Sequence, residues 1–341
     1  MLPIDGSQGE GGGQVLRSAL ALSMVTGAPF RIGRIRAGRR KPGLMRQHLT
    51  AVRAAKEVCN ATVEGDAVGA TALAFEPADV RAGDYHFAVG TAGSATLVLQ
   101  TVLPALVLAD GPSTVVLEGG THNPFAPPFD FLARAFLPLL NRMGPKVTLE
   151  LERPGFYPAG GGRFTVHIEP TRDGKLCGIE LLERGEDRGR CAMAVVANLP
   201  RHIAERELKK VQAKLGWAAE SLEVIERHDA LGPGNIVMLA VESEHVTELF
   251  TGFGEKNVPS EKVASQAAEA CRRYLTADVP VGEHLADQLL LPLAIAGHGA
   301  FRTVHPSRHT QTHVELIGKF LDVPVSMSQE GRDRWLVTVG R

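Results

Sequence analysis

The sequence carries no surplus of charge: 37 lysines and arginines stand against 38 aspartates and glutamates in 341 residues. Bulk electrostatics therefore favours neither nucleic acid nor membrane, and a polyanion would have to be met by a local patch. Cysteine is scarce. Cys59, Cys177, Cys191 and Cys271 lie far apart with no CxxC pair, which argues against thiolate zinc or a redox dithiol and predicts isolated thiols in a reducing compartment. Long hydrophobic runs are missing too. The stretch from Thr96 to Ala109 is about 14 residues and is broken by Gln100 and Pro104, too short to cross a bilayer. The first residues lack the basic and apolar regions of a secretory signal, so a soluble cytoplasmic protein is expected. There is no GxxxxGK[ST] stretch, and without its lysine ordinary P-loop chemistry is disfavoured.

Internal repetition is present, in two kinds of predicted helix. The first kind opens on a glycine turn and is almost wholly apolar: GGGQVLRSALALSMVTG from Gly11, GTAGSATLVLQTVLPALVLADG from Gly90 and GEHLADQLLLPLAIAG from Gly282. The second kind follows a polar loop: KPGLMRQHLTAVRAAKEVCN from Lys41, APPFDFLARAFLPLLNRMG from Ala126 and PSRHTQTHVELIGKFLD from Pro306. Strand-like segments follow each helix, including PFRI, STVVLEG, FRTV, ATVEG, KVTLELE and VPVSM. About 80 residues separate Gly11 from Gly90 but about 190 separate Gly90 from Gly282, so roughly 110 extra residues are inserted before the third copy. The expectation is an α+β protein in which three tandem repeats of a two-helix, sheet-forming unit surround a common core. Residues 1–184 and 280–341 would form the repeat domain and residues 185–279 a smaller inserted α+β domain. In the insert, strands are expected near Cys191–Asn198, Leu222–Glu226 and Ile236–Val241, and helices near Ile203–Leu215 and Ser260–Tyr274.

Polar residues inside helices that must be buried are informative. Gln14 and Arg17 interrupt the first apolar helix, Gln100 the second, Asp287 and Gln288 the third. A buried arginine requires an anion, either a protein carboxylate or a ligand phosphate. All five residues are read as lying near helix N-termini, where free N–H groups and the helix dipole favour anions. The glycines of DGSQGEGGG would let the backbone reach a phosphate. Arg34, Arg36, Arg39, Arg40, Lys41 and Arg46 form the densest cationic run, either a solvated face or a phosphate site built of guanidinium forks. In HPSRHTQTH, Ser307 would cap a helix beginning at Arg308, with His309 in its first turn on the same face as His313. Three readings stand for His305, His309 and His313: metal ligands, a surface cluster, or one nucleophile.

Taken together, DGSQGEGGGQVLRSALALS, IRAGRRKPGLMRQHLTAV, GTAGSATLVLQTVLPAL, GGTHNPFAPPFDF, FYPAGGG, GPGN, GEHLADQ and the histidine of HPSRHTQT resemble the RNA 3'-terminal phosphate cyclase family over nearly the whole chain. The resemblance implies ATP-dependent conversion of an RNA 3'-phosphate into a 2',3'-cyclic phosphodiester through a covalent histidine–AMP intermediate, with His309 as nucleophile. It also implies Glu10 as the ligand of Mg²⁺ or Mn²⁺, and Arg17, Arg36, Arg39 and Gln47 around the RNA terminal phosphate. Gln100, Pro127, Asp287 and Gln288 would form the ATP pocket. The aromatic positions that flank adenine in the family correspond to Thr251 and His284, so Phe250 and His284 are expected at the base, with Phe253 nearby. A non-catalytic cyclase-like RNA-processing factor and an enolpyruvyl-transferase-like enzyme are the rival classes. Open sheet edges suggest a homodimer.

Overall fold

The computed structural model describes residues 1–9 and 11–340. Its secondary structure is that of an α+β protein, organised among the described residues as four sheets of four strands each. The first comprises β1 (Leu2–Asp5), β2 (Phe30–Gly33), β3 (Thr62–Glu64) and β4 (Leu73–Glu76), with α1 (Gln14–Thr26) and α2 (Arg46–Cys59) in the connections. Its order is β1-β2-β4-β3; the first pair is parallel and the others antiparallel.

The second sheet comprises β5 (Asp84–Ala88), β6 (Ser113–Gly119), β7 (Lys146–Arg153) and β8 (Gly162–Glu169). Between β5 and β6 runs α3 (Ala95–Leu106); between β6 and β7, α4 (Phe129–Phe131) continues through a π-turn (Leu132–Phe136) into α5 (Leu137–Arg142). Order and directions match the first sheet: β5-β6-β8-β7 with only the first pair parallel.

After β9 (Glu180–Leu181) the chain builds a different sheet from β10 (Asp187–Ala197), β11 (Leu222–Arg227), β12 (Gly234–Ser243) and β13 (Thr247–Phe253), with α6 (His202–Leu215) and α7 (Ser260–Ala277). Here the order is β11-β10-β12-β13. The chain then returns through α8 (Glu283–Ala296), β14 (Gly299–Thr303), α9 (Arg308–Phe320), β15 (Val325–Gln329) and β16 (Trp335–Val339). These strands join β9 in the order β9-β14-β16-β15, again with one parallel pair followed by two antiparallel ones.

Helices α1, α3 and α8 are apolar nearly all round and are buried accordingly. Glycines 27 and 297, in the left-handed conformation at φ 71° and 79°, end α1 and α8. Amphipathic α2 packs on α1 and α3, and α9 on α1 and α8, so the openings of α1, α2, α8 and α9 gather in one region. One hydrophobic core spans the three like sheets and their helices, and a second lies between the β10–β13 sheet and α6 and α7. Strand β12 shows how they divide: Ile236, Met238 and Ala240 face the large core, while Val237, Leu239 and Val241 face the smaller one. At about 2 kcal/mol for each large aliphatic chain removed from water, this two-sided burial makes β12 the backbone of its sheet.

The expected strands and helices of residues 185–279 are present, with one addition. Strand β13 was absent from the sequence-based expectation and becomes important at the site.

Candidate active site

A cleft of about 1700 Å³ opens where α1, α2, α3, α8, α9 and β13 converge. His309 stands on its wall in the first turn of α9, whose N-terminus is capped by Ser307 Oγ accepting from the Thr310 N–H at 3.0 Å. Gln14, the first residue of α1, reaches across to it: Gln14 Oε1 lies 2.5 Å from His309 Nδ1. An amide oxygen can only accept, so Nδ1 carries the proton and the imidazole presents Nε2 as its basic nitrogen. Asp287 of α8 holds the same turn from below, accepting from Ser307 Oγ at 3.0 Å and from Thr310 Oγ1. Burial raises the Asp287 carboxyl above its ordinary value, and the Thr310 hydroxyl and the nearby His309 work against that shift.

The glycines beside position 10 serve this packing. A Cβ on Gly9, whose φ is +62°, would come within 2.0 Å of Thr312 Oγ1 on α9, and one on Gly13 within 2.4 Å of His48 Nε2. The close approach expected toward a phosphate is thus, at these two positions, an approach to protein. Residues on either side of position 10 touch α9, through Gly9 and Gln14. Glu10, the expected metal ligand, lies outside the described residues. Among the described residues no three His, Cys, Asp or Glu side chains form a metal-binding set. The carboxylates in the described lining are Glu255, which is exposed, and Asp287, whose oxygens are engaged by the two hydroxyls.

Arg17, Arg36, Arg39, Lys41, Arg46 and Gln47 all line the cleft. Of the rest of the cationic run, Arg34 is turned away to pair with Asp5. Among the described residues no ion pair involves Arg17, Arg36, Lys41 or Arg46. Burial lowers the Arg17 guanidinium to about 10 and, with help from neighbouring Arg39, also lowers Arg36. Arg36 is partly committed to structure. Its backbone takes φ 56° and its Nη1 donates to the carbonyls of Lys41 and Gly43, both at 2.8 Å, which braces the loop that presents the other cations. Gln47 Oε1 accepts from the Ser94 N–H at 3.0 Å and ties α2 to the start of α3.

His48 was not among the expected site residues. It is buried, lines the cleft, and is pushed down to about 3 by burial and by Arg17 and Arg36, so it is neutral. Its Nδ1 accepts from the Met45 N–H at 3.3 Å, leaving the proton on Nε2 as one more donor in a cationic wall. Its only sequence signal was its place on the buried face of an amphipathic helix. His313 lines the cleft one turn beyond His309 and is pushed to about 4 by burial, Arg17 and His309, whereas His305 leaves the cluster for an edge contact with Trp335 at 5.3 Å.

The remaining lining includes Gln100, Pro127, Thr251, Phe253, His284 and Gln288. Gln100 Nε2 donates to Gln288 Oε1, joining α3 to α8. Four residues after each glutamine stands a proline, Pro104 or Pro292, which has no N–H, so the backbone carbonyls of Gln100 and Gln288 lack their helical donors. Gln100 and Gln288 each sit in the sixth position of their helix and Asp287 in the fifth. They are therefore mid-helix residues, unlike Gln14 and Arg17, and the N-terminal placement expected for all five holds only for α1. Phe250 also departs from expectation. Leu249, Thr251 and Phe253 of β13 face the cleft, but Phe250 points to the opposite face and packs on Tyr274 with ring centroids 5.2 Å apart.

A family model described as RNA 3'-terminal phosphate cyclase matches residues 8–327. Curated proteins with that name are similar over almost the whole chain. The one from Koribacter versatilis is 56% identical, covering 97% of this chain and 92% of its own length; that from Ralstonia nicotianae is 55% identical over 99% and 96%. The enolpyruvyl transferase NikO from Streptomyces tendae aligns with 98% of this chain and 47% of its own, at 12% identity and a TM-score of 0.36.

Proposed function

The chain belongs to the RNA 3'-terminal phosphate cyclase family, and we propose how its own residues carry out the ATP-dependent conversion of an RNA 3'-phosphate to a 2',3'-cyclic phosphodiester. His309 is the nucleophile. With the Nδ1 proton held on Gln14 Oε1, the Nε2 lone pair attacks the α-phosphorus of ATP, the bond to the bridging oxygen breaks, pyrophosphate leaves, and a phosphoramidate remains. An oxygen of the RNA 3'-phosphate then attacks that phosphorus and displaces the imidazole, leaving an anhydride between RNA and AMP. The neighbouring 2'-hydroxyl attacks the RNA phosphorus, loses its proton and expels AMP. A five-membered phosphodiester is strained, and AMP is the leaving group that makes its closure downhill.

The observation that carries this reading is the placement of His309, its Nδ1 held by Gln14, in a cleft that also receives Arg17, Arg36 and Arg39. Arg17, Arg39 and Gln47 meet the RNA terminal phosphate, and Arg36 braces their loop while adding positive charge. Gln100, Gln288, Pro127, Asp287 and His284 form the ATP side. His284 and Phe253, with Thr251, take the adenine in place of Phe250. We assign Mg²⁺ or Mn²⁺ to Glu10; bound there, the ion would neutralise triphosphate charge.

We also read the three like sheets as copies of one unit and residues 185–279 as a domain inserted into the third, supported by the shared strand order and the separate small core. Among the described residues no helix is long and apolar enough to cross a membrane. A cytoplasmic location is supported by four free cysteines. A homodimer would use an open edge such as β3 or β7 and would appear as twice the monomer mass in sedimentation.

The test is label transfer. Incubation with α-labelled ATP should yield one equivalent of protein-bound AMP, stable to alkali and labile to acid. His309→Ala should lower that yield by more than about 10³-fold with an unchanged melting temperature. Retained adenylylation in the variant would refute the nucleophile.

A further inference from the structure

Large hydrophobic side chains that stay exposed are few. Among the described residues they are Met1, Met45, Val68, Phe125, Tyr157 and Leu231, and four of the six, Met45, Val68, Phe125 and Tyr157, line the one cleft. Phe125 is 100% exposed and Tyr157 70%. Neither ring contributes to a core, so each is held in water by the backbone beneath it. Phe125 has φ 64°, a left-handed conformation that a bulky residue seldom adopts.

That backbone is firmly built. The N–H groups of Thr121 and His122 both donate to the Gly155 carbonyl, at 2.9 and 3.1 Å. The His122 ring stacks on Phe156 with centroids 5.1 Å apart, and its Nε2–H donates to the Asp130 carboxylate at 2.8 Å. A Cβ on Gly155 would fall within 2.4 Å of the Gly119 carbonyl oxygen, so the two loops meet backbone to backbone. Phe125 follows this seam by three residues from His122, and Tyr157 directly follows Phe156. Two loops stitched together thus hold two solvent-exposed aromatic rings at the cleft that contains Arg39, Lys41 and Arg46.

We propose that Phe125 and Tyr157 form a stacking platform for the unpaired bases adjoining the RNA 3'-phosphate. The proposal rests on the cyclase reading and adds where the rest of the substrate lies. Aromatic faces beside a cationic groove are how proteins hold single-stranded nucleic acid with little sequence preference, because every base offers a π-face while cations follow the backbone. An enzyme that acts on a terminal phosphate needs that kind of hold. The ATP side of the cleft has its own ring in His284; Pro127, two residues after Phe125, puts the first loop at the border of the two sites, and the adenylylation assay decides which of them the rings serve.

The test uses Phe125→Ala, Tyr157→Ala and the double variant. Each is assayed for adenylylation with ATP alone and for cyclisation of a short single-stranded RNA 3'-phosphate. The same RNA with its last two nucleotides abasic is the second substrate. The double variant should raise KM for intact RNA about tenfold or more and slow adenylylation far less. Wild-type enzyme should lose a similar factor on abasic RNA, and combining variant with abasic RNA should add little. Losses that multiply would overturn the platform. So would adenylylation falling as far as cyclisation, which would put the rings at adenine. A wild-type protein that forms no adenylate would instead remove the cyclase reading itself.

Discussion

The half of the cleft made by α1, α2 and the loop between Arg36 and Gly43 is organised by charge, whereas the half made by α3, α8 and β13 is organised by amides, prolines and one strand face. On the first side, among the described residues, Arg17 and Arg36 have no carboxylate partner, and His48 is kept neutral at about 3. On the second side, Gln100 and Gln288 bond each other and β13 contributes Thr251 and Phe253. On the proposed reading, the difference follows from the ligands. A phosphate monoester is bound by uncompensated positive charge, whose desolvation cost only an incoming anion offsets. A purine is bound by shape, stacking and a few directed hydrogen bonds, which need no charge.

Gln14 belongs to both halves, since it begins α1 and fixes the imidazole that joins them. Removing its amide in Gln14→Leu should slow adenylylation about 10–100-fold, the worth of partners that orient an imidazole in metal sites. A carboxylate in its place gives a sharper result. Gln14→Glu would favour the imidazolium, and because the reaction needs the neutral ring, its pH–rate profile should move to higher pH. If both variants show only a lowered melting temperature and an unmoved profile, Gln14 is structural and the link between the halves fails.

Arg17 tests the charged half alone. Its guanidinium is already lowered to about 10 by burial, so it costs the folded protein stability in the absence of an anion. Arg17→Met should therefore raise the melting temperature by about 2–4 °C for each kcal/mol recovered while raising KM for the RNA 3'-phosphate about tenfold, the worth of a hydrogen bond to a charged group. Adenylylation should suffer less. A stability loss would mean that a protein anion compensates Arg17.

The charged half was also the more legible in sequence. An arginine inside an apolar helix and six cations in one short run are expensive arrangements, and expense is visible residue by residue. Glycine turns and repeated apolar helices likewise announced α1, α3 and α8. The other half depended on β13, a seven-residue strand whose pattern was not recognised. On a strand a shift of one residue reverses the face, which is why Phe250 was expected at adenine when its neighbours Thr251 and Phe253 face the cleft instead. The Gln100–Gln288 bond joins residues 188 apart, and nothing in either segment alone marks its partner. His48 went unnoticed because only the fold sets it beside Arg17 and Arg36.

The smallest expected effect separates the halves by pH. Glu248, on β13, is 1% exposed and accepts from the Gly282 N–H at 2.6 Å, where α8 begins. Burial pushes its carboxyl up to about 8, against 4.5 in the unfolded chain. Its folded state binds the proton more tightly, so the contribution is fully present below pH about 4.5 and is lost as pH rises through about 8. His48 has the opposite sense: lowered from 6.5 to about 3, it costs stability as pH falls below about 6.5. Between these limits the nucleotide half weakens with base and the phosphate half with acid. Glu248→Gln keeps an oxygen for the Gly282 N–H but has no proton to lose. The variant's denaturant midpoint should stay level from pH 6.5 to 8, above the range in which His48 titrates in the unfolded chain, where that of the wild type falls, with adenylylation little altered at neutral pH. A wild-type midpoint that is flat over that range, or a variant that falls in parallel with it, would show that Glu248 stays ionised at the start of α8. The two halves would then share one pH response.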